Sequence, residues 1–346
     1  MQYEQRNWQR SVTDILNVLC FLPKVSMSSD MNLLYSYGIN NKSGFFWYYL
    51  EEYAMKIGID IGGTNVRAGL VDKEGRVVDR VSAKTPSNEE PERLIELIIS
   101  LCGQLGQAES AGIGAPGLID HLNGIVRISP NLPKWRDVPL KALLELKLAR
   151  PVKVANDVNS IAWGEFLFGA GIGSKDMLVI TLGTGLGGAL ILDGKLHLGK
   201  SHMAGELGHS TFIKNGLSCP CGKRGCVEQY VAKNAIIRIA REKNPELKEV
   251  DPEIVAKAGH KGEKWAIEVY EEIGDNLARV LGGVIQLLNP DRIIVGGQIS
   301  KAGELLFSPL RRAIINEIQP ALRETFEIKK SALGNDAGII GAAFLT

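Results

Sequence analysis

The chemistry most legible in this sequence is a set of metal-ligand residues. His209-x9-Cys219-x-Cys221-x4-Cys226 supplies one imidazole and three thiols between positions 209 and 226. Thiolate and imidazole donors at such short spacing suit a tetrahedral zinc ion. Disulfides are the competing reading. They would require close pairing in a cramped loop and an oxidising compartment, and no convincing secretory signal precedes them. A Cys3His set leaves no open coordination position, so the zinc it predicts is structural. Such an ion supplies on the order of 10 kcal/mol of local folding energy, enough to order a glycine-rich loop without a core of its own. Cys20 and Cys102 have no such partners and read as inert.

A second set is polar. Asn156 and Asp157 follow a strand-like run, Val152–Ala155. A carboxylate at a strand end is well placed to be a base, although alone Asp157 or Asn159 would sooner be a helix cap. Glu206 lies three residues before His209, and Glu228 two after Cys226. Singly each would be a surface charge. Together with Asn156 and Asp157 they combine acceptors and donors in the way a polyol requires.

A third set could hold phosphate. Ile59-Asp-Ile-Gly-Gly-Thr64 and Ile180-Thr-Leu-Gly-Thr-Gly185 share one form, an apolar strand running into a small Gly/Thr turn. Each is followed by a further strand, so a glycine-tipped hairpin is predicted twice. Such tips let backbone N–H groups approach an anion. Two other glycine strings are set aside. Gly183-x-Gly185-x-x-Gly188 fits a dinucleotide fingerprint but leads into the strand-like Ala189–Leu192 instead of a helix. Gly194 to Ser201 fits the Walker A string, but its interior is Lys-Leu-His-Leu, and Gly205 and Gly208 weaken any helix behind it.

These groups need a scaffold. Strands are predicted at Met55–Ile61, Val66–Val71, Val77–Ala83, Ala111–Ile113, Ile125–Ile128, Val152–Ala155, Met177–Leu182, Ala189–Leu192 and Arg292–Val295. Helices are predicted from Pro91 to about Leu105, over Ser160–Phe168, 226–240, 263–288, Phe307–Ile318 and Ala337–Phe344. Gly169–Ser174 reads as a hinge-like loop. Alternating strands and helices make the class α/β.

Composition sets the outer limits. Against 39 acidic residues stand 40 Lys and Arg, a net charge of +1, which gives no support for nucleic-acid or polybasic membrane binding. No apolar run approaches the roughly 18 residues of a membrane helix. The averages conceal a break. Eleven of the 22 aromatic residues fall in residues 1–54, yet of the 39 glycines only Gly38 and Gly44 do. Residues 1–54 read as an extension that does not conform to the rest. They have only four Lys or Arg and no recognisable helix-turn-helix. Met55 opens a strand as a natural start would, and Glu51-Glu52 would be encoded by a purine-rich stretch resembling a ribosome-binding site. The start codon is therefore expected to be over-extended; a mature protein beginning at Gln2 would refute this.

From Met55 to Thr346 the chain resembles the ROK family (repressors, uncharacterised frames, sugar kinases), and within it the glucokinases. The resemblance rests on Asp60-Ile-Gly-Gly-Thr64, Gly114-Ala-Pro-Gly117, Asn156-Asp157-Val-Asn159, Gly183-Thr-Gly185, Gly205-Glu-Leu-Gly-His209, Cys219-Pro-Cys-Gly-Lys-Arg-Gly-Cys226 with Glu228, and Gly296-Gly297. It implies an actin/hexokinase-like fold of two RNase H-like domains around a cleft. Residues 55–167 with 331–346 would form the small domain, and 168–330 the large one with the zinc loop. It implies ATP with Mg²⁺ on the two turns, held by Asp60, Gly62, Gly63, Thr64, Asn65, Thr184 and Gly185, with Gly296 and Gly297 near the adenosine. Asn131, Asn156, Asp157, Glu206, His209 and Glu228 would bind a hexose, and Asp157 would be the base. The implied activity is phosphorylation of the 6-hydroxyl of glucose. Alternatives are fructose, N-acetylglucosamine or N-acetylmannosamine as acceptor, or a sugar-sensing regulator on the same fold. The resemblance also implies a cytoplasmic homodimer that binds no nucleic acid and no membrane.

Overall fold

A computed structural model describes residues 55–345 of the chain. The expectation about residues 1–54 lies outside the described residues. Two five-stranded sheets carry the architecture. The first contains β1 (Lys56–Ile61), β2 (Asn65–Val71), β3 (Val77–Lys84), β4 (Ser110–Ala115) and β8 (Val152–Asn156), in the order β3-β2-β1-β4-β8. The second contains β9 (Met177–Leu182), β10 (Leu186–Leu192), β11 (Lys195–Leu196), β12 (Arg292–Gly296) and β13 (Glu327–Lys330), in the order β11-β10-β9-β12-β13. Their connectivity is the same. Each opens with an antiparallel meander of three strands, and each meander's first strand then pairs in parallel with a later one. The repeated glycine-tipped hairpin is its first step. Ile61 pairs with Val66 across one tip and Leu182 with Leu186 across the other.

A small sheet of β5 (Leu118–Asp120), β6 (Ile125–Ile128) and β7 (Arg136–Val138) extends from the first unit of structure. The helices are α1 (Pro91–Gln104), α2 (Leu140–Leu148), α3 (Asp157–Phe168), α4 (Glu228–Val231), α5 (Lys233–Lys243), α6 (Pro252–His260), α7 (Lys264–Leu288), α8 (Glu304–Glu317) and α9 (Ala337–Ala343). One core lies between the first sheet, α1, α2 and Trp135; a larger one gathers the second sheet, α5, α7 and α8. Both central strands are buried on two faces, which is why they read as continuous apolar runs.

The closing helix α9 lies directly on the first sheet. A Cβ on Gly58 or Gly112 would strike the carbonyl oxygens of Ile339 and Ala342, so only glycine permits this approach. Its other side packs on α3. At the end of α3 the Glu165 side chain is fully buried. Its carboxylate accepts the backbone N–H of Ala170 (2.8 Å), Ala332 (3.1 Å) and Leu333 (2.9 Å), and the Ser331 hydroxyl. One carboxylate thus ties the predicted hinge loop 169–174 to the segment entering α9. Four donors to one buried charge are what burial of that charge demands.

Several elements differ from expectation. The helix predicted over 226–240 is two, broken at Ala232, which is extended (φ −91°, ψ −172°). α8 begins at Glu304 and continues through Pro309. β5, β7, β11, β13, α2 and α6 were not foreseen. Most are short, and the strands depend on partners distant in sequence. α6 did carry a local signal, since Asp251 accepts the Glu253 N–H and Pro252 occupies the first turn. Of the two discarded glycine strings, the first runs into β10 and the second contains β11; neither opens a helix.

Candidate active site

Asp60 stands at the end of β1, where the chain enters the first turn. Its Oδ2 lies 3.9 Å from Arg67 Nη1 on β2. Burial pushes its carboxyl upward, and Arg67 offsets only part of that. The turn is closed by Gly62 N–H donating to Asn65 O at 2.9 Å. Gly63, Thr64 and Asn65 are exposed, and the Asn131 side chain packs against Gly63, 3.5 Å from where a Cβ would stand.

Asp157 opens α3 two strands away. The helix cap is not Asp157 or Asn159, as the local sequence allowed, but Asn156. Its Oδ1 accepts from Val158 N (2.9 Å) and Asn159 N (3.2 Å), while Nδ2 donates to Gly117 O. Asn156 thereby fixes the start of α3, and Asp157 Oδ1 shares the Val158 N–H at 2.9 Å. The Asp157 carboxyl is raised to about 7, first by burial and then by the negative charge of Asp60. Two carboxyls close enough to repel, one of them poised near neutral pH, form an arrangement suited to proton transfer.

The second turn is built differently. Gly183 N–H donates to Gly185 O at 3.0 Å. Glu228, at the start of α4, crosses the turn and accepts Leu186 N–H at 3.0 Å. A Cβ on Gly185 would collide with that carboxylate. A cavity of about 540 Å³ opens beside Gly183 and Thr184, lined also by Lys233, Asp251, Tyr270 and Gln298. Two of its three lysines are paired: Lys233 Nζ lies 3.0 Å from Asp251 and Lys257 Nζ 2.7 Å from Glu253, while Lys301 has no ion-pair partner among the described residues. The lining thus combines paired charges with one unpaired cation. Gly297 directly precedes Gln298 of that lining. Its φ is +83°, and a Cβ there would strike Leu182 O at the end of β9. None of Lys233, Asp251, Tyr270 and Gln298 was singled out from the sequence, because each comes from a separate stretch of chain.

The His/Cys set closes into a cluster. Ligand atoms of His209, Cys219, Cys221 and Cys226 all lie within 4.8 Å of one another. Cys219 Sγ is 3.7 Å from His209 Nδ1 and Cys221 Sγ 3.6 Å from Cys226 Sγ. A tetrahedron with Zn–S bonds of about 2.3 Å has edges of about 3.7 Å, so these residues fit zinc. All three thiols are free of disulfides. Lys223 Nζ bonds the His209 carbonyl at 2.7 Å, and Cys226 leads within two residues to Glu228. Glu206, just before the 3-10 turn Leu207–His209, is exposed, and no hydrogen bond of its carboxylate is made within the described residues. Among the described residues no helix is long and apolar enough to cross a membrane.

Comparison with known proteins agrees with this arrangement. The chain is 38% identical to the glucokinase of Thermotoga maritima over 83% of this chain and 95% of the relative. A ROK family glucokinase from Streptomyces griseus, solved with glucose and AMPPNP, superposes with a TM-score of 0.75 at 35% identity, covering 84% of this chain and 98% of that one. The xylose repressor of Bacillus subtilis is 28% identical over 94% of this chain and 88% of the repressor, a match that extends upstream of Met55. The fold is the actin/hexokinase-like one of the ROK kinases. Residues 56–346 match the ROK family over their whole length, and the chain belongs to that family.

Proposed function

We propose that this chain is a hexose kinase that transfers the γ-phosphoryl group of ATP to the 6-hydroxyl of glucose. The observation that carries the reading is the Asp60–Asp157 pair, with Asp157 held at about 7 beside a glycine turn. A sugar hydroxyl is a poor nucleophile. Asp157 accepts its proton as oxygen attacks phosphorus, a contribution of about 10² to 10⁴ in rate. The proton moves to the carboxylate, the new O–P bond forms, and ADP leaves with the electron pair of the broken bond. Backbone N–H groups of the Gly62–Thr64 and Gly183–Gly185 turns hold the phosphates, with Asp60, Asn65 and Thr184 beside them. Mg²⁺ would neutralise charge developing on the phosphates.

Around the sugar, Glu206 accepts hydroxyl protons, and Asn131 and His209 donate. Asn156 keeps one amide hydrogen for the sugar and Glu228 its further lone pairs. Zinc on His209, Cys219, Cys221 and Cys226 would hold the loop that presents His209 Nε2 and Glu228. A metal held by Nδ1 would fix the proton on Nε2 and make it a donor. The cavity beside Thr184, with Gly296 and Gly297 at its border, receives the adenosine. Residues 55–167 with 331–346 and residues 168–330 act as two domains that close on the sugar and exclude water. We place the enzyme in the cytoplasm as a homodimer.

ADP release measured over glucose, fructose, N-acetylglucosamine and N-acetylmannosamine tests this reading. The highest kcat/KM is expected with glucose and ATP; no hexose-dependent ADP release would refute it. The repressor relative whose match extends upstream of Met55 supports a second reading, a sugar-responsive regulator. That reading requires hexose-dependent binding of operator DNA with little turnover.

A further inference from the structure

Two histidines without a part in this chemistry meet beside it. His202 stands in the loop 199–205 that leads into Glu206, and its φ is +59°. That left-handed backbone is one that residues with a Cβ rarely take. The side chain has a compensating contact. His202 Nδ1 accepts the backbone N–H of His121 at 3.2 Å, and the two rings meet edge to face, centroids 5.6 Å apart.

His121 follows β5 directly, and its Nε2 is 3.4 Å from the Asn159 amide nitrogen. Asn159 is buried on α3, two residues beyond Asp157. Burial, and then the neighbouring His202, push the His121 imidazole down to about 4. It is therefore neutral and able to accept from the amide. Asp120 is 3.9 Å from His202 Nδ1 but is already engaged by Asn123 and Arg127. The loop before Glu206 is thus pinned, through one imidazole, to the same helix start that carries the base.

We propose that His202 is a positioning residue for the hexose. By seating loop 199–205 on His121 it holds Glu206 at the sugar. The inference rests on the reading above that Glu206 binds sugar hydroxyls. Its logic fixes the choice of variants. Asn places an oxygen where Nδ1 stands and tolerates the left-handed backbone; Gly removes the bond but relieves the backbone.

Steady-state kinetics of the full chain with glucose and ATP separate the cases. H202G is expected to fold normally and to raise the glucose KM about fivefold to tenfold, with kcat and the ATP KM within about twofold. H202N should stay within about twofold of the parent protein on every parameter. A purely structural histidine in a strained position predicts the reverse for glycine, no loss at all. Unchanged glucose KM in H202G overturns the proposal, as do equal losses in H202G and H202N. E206Q serves as the control. If it binds glucose normally, the sugar role of Glu206 falls and this proposal with it. If E206Q is weakened and H202G is not, only this proposal falls.

Discussion

The β1–β2 turn and the β9–β10 turn leave sheets of identical connectivity, and both are built from glycine and threonine. Their surroundings diverge. Behind the first stand Asp60, Arg67 and, across two strands, Asp157 with its carboxyl at about 7. Behind the second stands Glu228, bonded to Leu186 N–H and reached from the Cys226 end of the His/Cys cluster, beside a cavity in which Lys233 and Lys257 are paired. On the function proposed above, one copy of the scaffold holds the groups that exchange protons and the other holds groups that bind. A repeated backbone would then offer phosphate-holding N–H groups twice, with the side chains behind each turn deciding which end does chemistry.

Disturbing each turn separately is the way to break this division. Apart from loss of the base itself, the largest effect is expected at the second turn's support. C226S removes a fully buried thiol of the cluster. If the cluster holds the proposed zinc, C226S should abolish the one ion per chain expected in metal analysis of the parent protein and lower kcat/KM by roughly 100-fold or more, since structural zinc contributes folding energy outright. Retained metal, or normal activity without it, would separate the cluster from the turn. Next, G185A drives a Cβ into Glu228. A rise in the ATP KM of about tenfold is expected, with a rise in the glucose KM as well because Glu228 is displaced from the sugar, while the acidic limb of kcat/KM stays in place. A shift of that limb in G185A would contradict the division of labour.

At the first turn the test is pH. Asp157 must be ionised to accept a proton, so kcat/KM should fall as pH drops below about 7. The charge of Asp60 is part of what raises Asp157, so D60N should move that acidic limb to lower pH as well as slowing the reaction. A limb that stays in place would show that Asp60 does not act on Asp157. Stability carries the same signature. Between its ordinary value of 3.8 and about 7, Asp157 is protonated when folded and ionised when unfolded, so stability falls as pH rises through that window. The upper bound for this loss is about 4 kcal/mol, reduced in practice by solvent reaching the site. D157N should accordingly be more stable than the parent protein at pH 8, read as a higher Tm. The smallest effect is expected at the cap. N156A removes the acceptor of two N–H groups at the start of α3 and should cost about 1 kcal/mol in chemical denaturation.

Much of this was legible in the sequence because it is local. The two Gly/Thr turns, the Cys219–Cys226 spacing and the apolar runs of β1, β9 and β12 carry their signal over short stretches. What was not legible depends on long-range contact. Glu165 bonds Ser331, 166 positions later, and His121 meets His202 across 81. The cavity beside Thr184 is assembled from separate elements, and β13 exists only by pairing with β12. Asn156 is a different case. The sequence offered Asp157 and Asn159 as caps, whereas the backbone geometry turns Asn156 onto the N–H groups of Val158 and Asn159, with Asp157 joining it on Val158.

The most direct test of the central claim is the turnover of D157N with saturating glucose and ATP, measured as ADP release. The base assigned to Asp157 predicts a fall of about 10² to 10⁴ in kcat while glucose still binds. Turnover near that of the parent protein would contradict it.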